Sequence, residues 1–298
     1  MPRARIAAGT GAWLSWLAFA FPLAALLLVP AAWPRWAFMW LLAFAIYLAC
    51  KILTWSVADK SGVSRRRQWE YLVGWPGMNA ARFFSTRSNC QPKVPAAAEW
   101  FAALGKMLLG TILFWNAQRW IVTDSPIVLG WAGMVGTILM LHFGSFHLLS
   151  CAWRAAGIDA PPLMNEPLRS TSVVEFWSRR WNTAFRDLTH QFLFRPLSYR
   201  LGSSRAILLG FFLSGIVHDL IISVPAEGGY GGPTCFFTLQ AVAILVERSR
   251  LGRSIGLGRG WRGWLFTAAA LLLPVRLLFH DRFVDVIVIP FMKALGAA

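Results

Sequence analysis

The sequence predicts an all-α, polytopic membrane protein, with about eight transmembrane helices and amphipathic interfacial helices beside them. Three observations carry that prediction. Of the 298 residues, 57% are hydrophobic and only 14% charged, whereas soluble domains hold about 25% charged and about 45–50% apolar residues. The mean hydropathy is +0.53. The runs Trp13 to Trp33, Pro34 to Trp55 and Ala206 to Val224 carry few or no ionisable residues, and a hydrocarbon layer of about 30 Å is crossed by roughly 20 apolar residues in a helix. Helices are the economical solution, because a spanning backbone must satisfy its own hydrogen bonds.

Taken in order, the spans are expected near 13–32, 35–55, 99–118, 126–151, 206–224, 234–247, 263–280 and 283–297, forming a single membrane-embedded domain over 1–298. Met1 to Thr10, with Arg3 and Arg5, leads into the first run as a signal peptide does, but that run is too long for a signal core and lacks a clear small-residue cleavage site. The reading is a retained first helix. Loop charge is consistent with the count. The 57–98 segment holds Lys60, Arg65, Arg66, Arg67, Arg82, Arg87 and Lys93, the 153–205 segment eight arginines, and 248–262 five more. The short 119–125 and 225–233 segments carry Arg119 as their only basic residue. The basic segments alternate with the poor ones, so the positive-inside rule places all three, and both termini, in the cytoplasm of a multi-pass protein of the cell membrane.

The net charge of +16 is then explained by cytoplasmic loops beside anionic lipid, and no nucleic-acid motif accompanies it. Cys50, Cys90, Cys151 and Cys235 have no paired spacing, so neither a zinc nor a redox site is expected. Gly228, Gly229, Gly231 and Gly232 are not followed by the lysine of a phosphate loop, and Gly256, Gly258 and Gly260 miss the dinucleotide spacing. No metal and no resident cofactor are expected.

The two long cytoplasmic segments are more than linkers. Phe176, Trp177, Trp181, Phe185, Leu188 and Phe192 recur at three- and four-residue spacing among arginines, the pattern of an amphipathic helix lying at the membrane interface. A shorter aromatic stretch, 71–84, is broken by Gly74, Pro76 and Gly77.

Ionisable groups inside spans point to function. Lys106, Glu247 and Arg276 are near expected helix ends, where they can snorkel. His142 and His147 are five residues apart, share no helix face and have no carboxylate near them in sequence, so each reads as structural. His218 is different: it lies about 12 residues into its span, roughly 18 Å deep at 1.5 Å per residue, beyond the reach of snorkelling. Ser214 lies one turn before it, and Gly215 admits a neighbouring helix. Imidazole is the side chain best matched to general-base work near neutral pH. Asp219, the next residue, cannot share the His218 face and is expected to point to a neighbouring helix.

SVVEFWSRRWN (172–182), then RPL (195–197), then SGIVHDL (214–220) resembles the wax synthase branch of the membrane-bound O-acyltransferase family, and LHFG (141–144) also looks like family sequence. The resemblance is close over about 140–225; elsewhere it is one of hydropathy and length. It implies a catalytic histidine at His218 and a catalytic asparagine at Asn182, transferring an acyl group from acyl-CoA to the hydroxyl of a lipophilic alcohol. In that scheme His218 takes the hydroxyl proton and Asn182 orients the acyl carbonyl or stabilises its developing charge. Arg179 and Arg180 would hold CoA phosphates, with Trp177, Trp181 and Ser214 lining the substrate path. A sterol, carotenoid, polyketide or cell-surface sugar is an alternative acceptor on the same fold. A transporter with His218 as proton relay is the alternative outside enzymes, and the lack of repeated halves and of intramembrane acids counts against it.

Overall fold

The computed structural model describes residues 14–85, 92–121 and 125–297; Met1 to Thr10, Arg87, Cys90 and part of the 119–125 loop fall outside them. Among the described residues every regular element is helical. Five helical segments are long and apolar enough to cross a bilayer: α2 (Arg35–Ser56), α5 (Ala97–Trp120), the composite Pro126–Ala155, α11 (Ser203–Ala226) and the composite Gly260–Leu278. The two long basic segments fold as short helices between them, α3 (Arg65–Gly74) and α4 (Ala80–Phe84) in the first.

The expected first, sixth and eighth spans do not reach spanning length. The first is a 3-10 turn, Leu14–Phe19, followed by the nine-residue α1 (Ala20–Leu28). Val29 is forced extended before Pro30 and ends it. The sixth, α12 (Gly232–Arg248), has 17 residues, about 25 Å of helix, less than the hydrocarbon layer. The eighth is divided into α16 (Asp281–Phe283), a π-helical turn Val284–Val288 and α17 (Ile289–Ala294). The composite before it joins α14 (Gly260–Leu272) to α15 (Val275–Leu278) across Pro274, and α13 (Arg250–Ser254) precedes both.

The third spanning segment is also composite: α6 (Pro126–Ile138), a π-helical turn Leu139–Ser145, and α7 (Phe146–Ala155). Pro126 occupies the first turn of α6, where its missing N–H costs nothing. Small residues bring α5 and α6 together. A Cβ on Gly110 would fall 2.6 Å from the Gly136 carbonyl oxygen, and one on Gly136 would fall 2.9 Å from that of Gly110. Only glycine permits that approach, the usual device for packing helices in lipid.

The amphipathic 170–200 segment is not one interfacial helix. It runs as α8 (Val173–Glu175), a π turn Phe176–Arg180, a break at Trp181 and Asn182, α9 (Thr183–Thr189), a second π turn His190–Phe194 and α10 (Arg195–Leu201). Phe176 and Leu188 are buried against protein rather than set in headgroups. Leu188 and Ala184 join Phe38, Leu42 and Ile46 of α2, together with Tyr71, Trp75, Met78 and Phe83, in one core. Both basic segments are therefore packed onto α2. A second core gathers Met39, Ile222, Phe236, Phe237 and the C-terminal helices.

Candidate active site

His218 lies in the C-terminal half of α11, and its Nδ1 is 2.7 Å from the Ser214 carbonyl oxygen. A carbonyl only accepts, so Nδ1 carries the proton, and neutral imidazole then presents a bare lone pair at Nε2. Ser214 thus contributes its backbone carbonyl to the histidine. Gly215, on the same helix, lets α12 come close: a Cβ there would fall 2.6 Å from the Thr234 Cα.

Asp219 points to α12, as expected. It accepts from the Gly231 and Thr234 backbone N–H groups at 2.9 and 3.0 Å, and from the Ser223 and Thr234 hydroxyls. It caps the start of α12, where the helix dipole favours an anion. α12 presents Phe237, whose ring centroid is 4.2 Å from that of His218. Phe237 in turn packs on Trp177 at 5.5 Å and Phe211 at 6.4 Å. The Trp177 indole N–H donates to Gln240 Oε1 at 3.4 Å, and Gln240 Nε2 donates to the Ala270 carbonyl. The structure so joins the two sequence motifs through Phe237 and the fully buried Gln240. Sequence reasoning named neither.

Asn182 has φ +40°, a left-handed conformation that asparagine tolerates better than most residues. Its Oδ1 accepts from the Phe185 N–H at 3.5 Å as the cap of α9, and its own N–H lies 3.2 Å from Met164 Sδ. The amide donors of Nδ2 make no hydrogen bond among the described residues. Neighbouring backbone pairs, Asn165 N–H to Arg180 O and Thr183 N–H to Leu163 O, fix this corner on the 163–165 loop. Trp181 stacks on Phe176 at 5.5 Å and meets Phe143 at 6.4 Å.

The expected arginine pair separates. Arg180 donates to Glu175 and to the carbonyls of Asn165 and Glu166, so it is a structural tie. Glu175 is held below the usual carboxylate range: burial opposes this, but the Thr171 N–H and Arg180 outweigh it. Arg179 is exposed and lines a cavity of about 420 Å³. Arg82, Lys93, Arg154 and Arg186 line it too, against Glu99, Asp159 and Asp187. Arg82 pairs with Asp159, Arg154 with Glu99 and Arg186 with Asp187, so Lys93 and Arg179 remain uncompensated among the described residues. Thr183 and Ala184, which follow Asn182, lie in the wall; His218 does not.

Two more sequence readings change. Glu247 does not snorkel: it is buried and accepts from the Val173 N–H at 2.7 Å, capping α8. His147 does have a carboxylate, supplied from α5: its Nε2 is 2.9 Å from Glu99 Oε1. Glu99, His147 and Cys151 bring ligand atoms within 4.8 Å of one another, the one grouping among the described residues of a kind that holds a metal. Arg154, donating to Glu99 and lying 3.5 Å from Cys151 Sγ, competes with a cation for the same oxygens.

Residues 160–239 match the sequence model of the membrane bound O-acyl transferase family. Probable long-chain-alcohol O-fatty-acyltransferase 2 of Arabidopsis thaliana is 36% identical over 100 residues, covering 30% of this chain and 29% of the relative. Probable long-chain-alcohol O-fatty-acyltransferase 3 of the same plant is 28% identical over 144 residues, 42% of each chain. The long-chain-alcohol O-fatty-acyltransferase of Simmondsia chinensis is 34% identical over 100 residues, 30% of this chain and 28% of the relative. The matched part thus spans between 28% and 42% of these relatives' own length.

Proposed function

We propose that this chain, whose residues 160–239 match the membrane bound O-acyl transferase family model, is a member of that family and transfers an acyl group from acyl-CoA to the hydroxyl of a lipophilic alcohol. The observation that carries the reading is the tautomer of His218: a proton fixed on Nδ1 by Ser214, and a lone pair at Nε2 deep in a spanning helix. Nε2 takes the proton of the alcohol as its oxygen attacks the thioester carbonyl. The tetrahedral intermediate collapses, the C–S bond breaks, and the imidazolium returns the proton to the leaving thiolate. Asn182 Nδ2, unpaired beside the cavity, donates to the carbonyl oxygen as it gains charge.

The cavity suits the donor's polar end. Five cations against three carboxylates suit a phosphorylated nucleotide, and Arg179 is free to bind it in the charge-assisted way. By the positive-inside rule this face is cytoplasmic, the compartment of CoA, while an alcohol dissolved in lipid reaches His218 from the bilayer.

The test is ester formation in membranes from cells expressing the chain, supplied with labelled palmitoyl-CoA and hexadecanol. Wild type forms the ester, and His218→Ala loses at least about 10²-fold of the rate, the scale of general-base catalysis. Equal rates in the two, or a proton-driven flux without ester, would overturn the reading. Sterol, carotenoid, polyketide and sugar acceptors run in parallel define the alcohol.

A further inference from the structure

His142 lies in the π-helical turn Leu139–Ser145, in the middle of a spanning segment. The Phe146 N–H reaches back five residues to the Leu141 carbonyl, and the Ser145 hydroxyl likewise to that of Met140. The extra residue rotates the side chains of this turn out of the register that α6 and α7 set, a distortion frequent at functional sites.

The His142 Nδ1 is closed off from solvent and has no hydrogen-bond partner. The other intramembrane histidines do have one: His147 is bound to Glu99 and His218 to Ser214. Phe146 packs edge-on against the His142 ring, with centroids 5.2 Å apart. The ring as a whole is half-buried and Nε2 is not closed off, so the open edge of the imidazole is its Nε2 side. Burying a polar atom unpaired is costly, and a phenylalanine would fill this site without that cost. An unpaired N–H is worse tolerated than an unpaired lone pair, which places the proton of neutral His142 on Nε2. His142 and His218 then hold opposite tautomers, one a donor at Nε2 and the other an acceptor there.

The turn also touches the Asn182 corner. Phe143, next to His142, packs on Trp181, next to Asn182. Gly144 fixes the turn against α5, where a Cβ would fall 2.6 Å from Met107 Cβ.

We propose that His142 is a substrate-contacting residue, donating from Nε2 to the acyl carbonyl oxygen while His218 handles the hydroxyl proton. This rests on the acyltransferase reading above and adds a second donor to it. The carbonyl is assigned rather than the alcohol because His142 offers a donor, and the hydroxyl proton already has its acceptor in His218.

The experiment compares wild type, His142→Phe and His142→Gln, each checked for a monodisperse peak and its Tm in detergent. His142→Phe keeps the volume and removes the unpaired nitrogen, so it folds with a Tm equal to or above wild type. Its kcat for ester formation falls about 10²-fold, the scale of one lost oxyanion donor, and His142→Gln, which still donates, recovers part of it. Binding is read with two unreactive probes, a hexadecyl thioether of CoA and its ketone-bearing counterpart. Wild type prefers the ketone by more than His142→Phe does, the difference being up to about tenfold, one hydrogen bond's worth, and His142→Phe keeps only the preference that Asn182 supplies. A folded His142→Phe with wild-type kcat and an unchanged ketone preference overturns the proposal alone. A wild type that makes no ester and binds neither probe overturns the acyltransferase reading beneath it.

Discussion

The rings of His218 and Phe237 lie 4.2 Å apart, and Phe237 is in turn 5.5 Å from Trp177. The His218 imidazole on α11 and the segment ending in Asn182 are thereby held against one aromatic residue of α12. Phe237 is 4% exposed, so Phe237→Leu keeps most of the apolar contact and costs less than about 1.5 kcal/mol in stability. It frees the imidazole to turn away. Ester formation should fall about tenfold, since misplacing a catalytic group by even about 1 Å is worth up to 10²-fold. A Tm near wild type with this loss, measured on the same preparation, separates positioning from unfolding.

Lys51 tests the cavity wall. It is fully buried in α2, donates to the carbonyls of Trp75 and Gly77, and lies 3.4 Å from the Tyr71 ring centroid. Trp75, Gly77, Met78 and Asn79 line the cavity, and Asn79 continues to Asp187 in α9. Lys51→Met leaves the Gly77 carbonyl without its donor, at about 1–3 kcal/mol before relaxation, and leaves the Trp75 carbonyl with only the Tyr47 hydroxyl at 3.4 Å. The expected signature is a raised KM for the acyl donor with kcat nearly unchanged, because His218 does not line the displaced wall. A kcat loss with constant KM would contradict it.

Asp219 is a fold residue beside the proposed base. Asp219→Ala strips four donors of their acceptor at the start of α12, a loss of about 2 kcal/mol for a cap in a partly buried setting. Thermal unfolding should show it as a lower Tm, and ester formation per folded molecule should fall less than in His218→Ala. A full loss of activity without a change in Tm would move Asp219 into the chemistry.

Helical class, membrane residence and the place of His218 inside a spanning helix were legible in the sequence, because hydropathy and depth are properties of one run of chain. The periodicity of 176–192 was legible too, but a periodic face states that one side is buried and not against what. Here Phe176 and Leu188 meet protein, and the helix breaks at Asn182, whose positive φ no spacing rule announces. Lys51 lies within a turn or so of its helix end and resembles a snorkelling anchor until the Trp75 and Gly77 carbonyls fold over it. Glu99 reaches His147 from 48 residues away, a distance over which sequence carries no signal. The count of eight is not matched by the five segments of spanning length among the described residues, because a proline ends the first run, the sixth stops at 17 residues and a π turn divides the eighth.

Arg179 and Arg180, adjacent in sequence, should behave oppositely. Arg179→Ala removes an exposed, unpaired cation from the cavity, so KM for palmitoyl-CoA rises several-fold and its dependence on salt weakens, while Tm is unchanged. Arg180→Ala breaks the tie to Glu175, leaves the Asn165 carbonyl without its donor and leaves the Glu166 carbonyl with the Arg169 N–H alone, so Tm falls and KM follows only as the corner loosens. The sign of the pH effect follows from Glu175, whose carboxyl in the folded protein is depressed. A depressed acid contributes stability that is present in full above its unfolded value, about 4.3, and is lost as pH falls through the folded one. Wild type should therefore lose Tm on acidification below about pH 4.3 more steeply than Arg180→Ala, which no longer has the pair to lose. Parallel melting curves for the two proteins between neutral and acid pH decide it: equal acid slopes would show that the Glu175–Arg180 tie contributes nothing to holding the Asn182 corner.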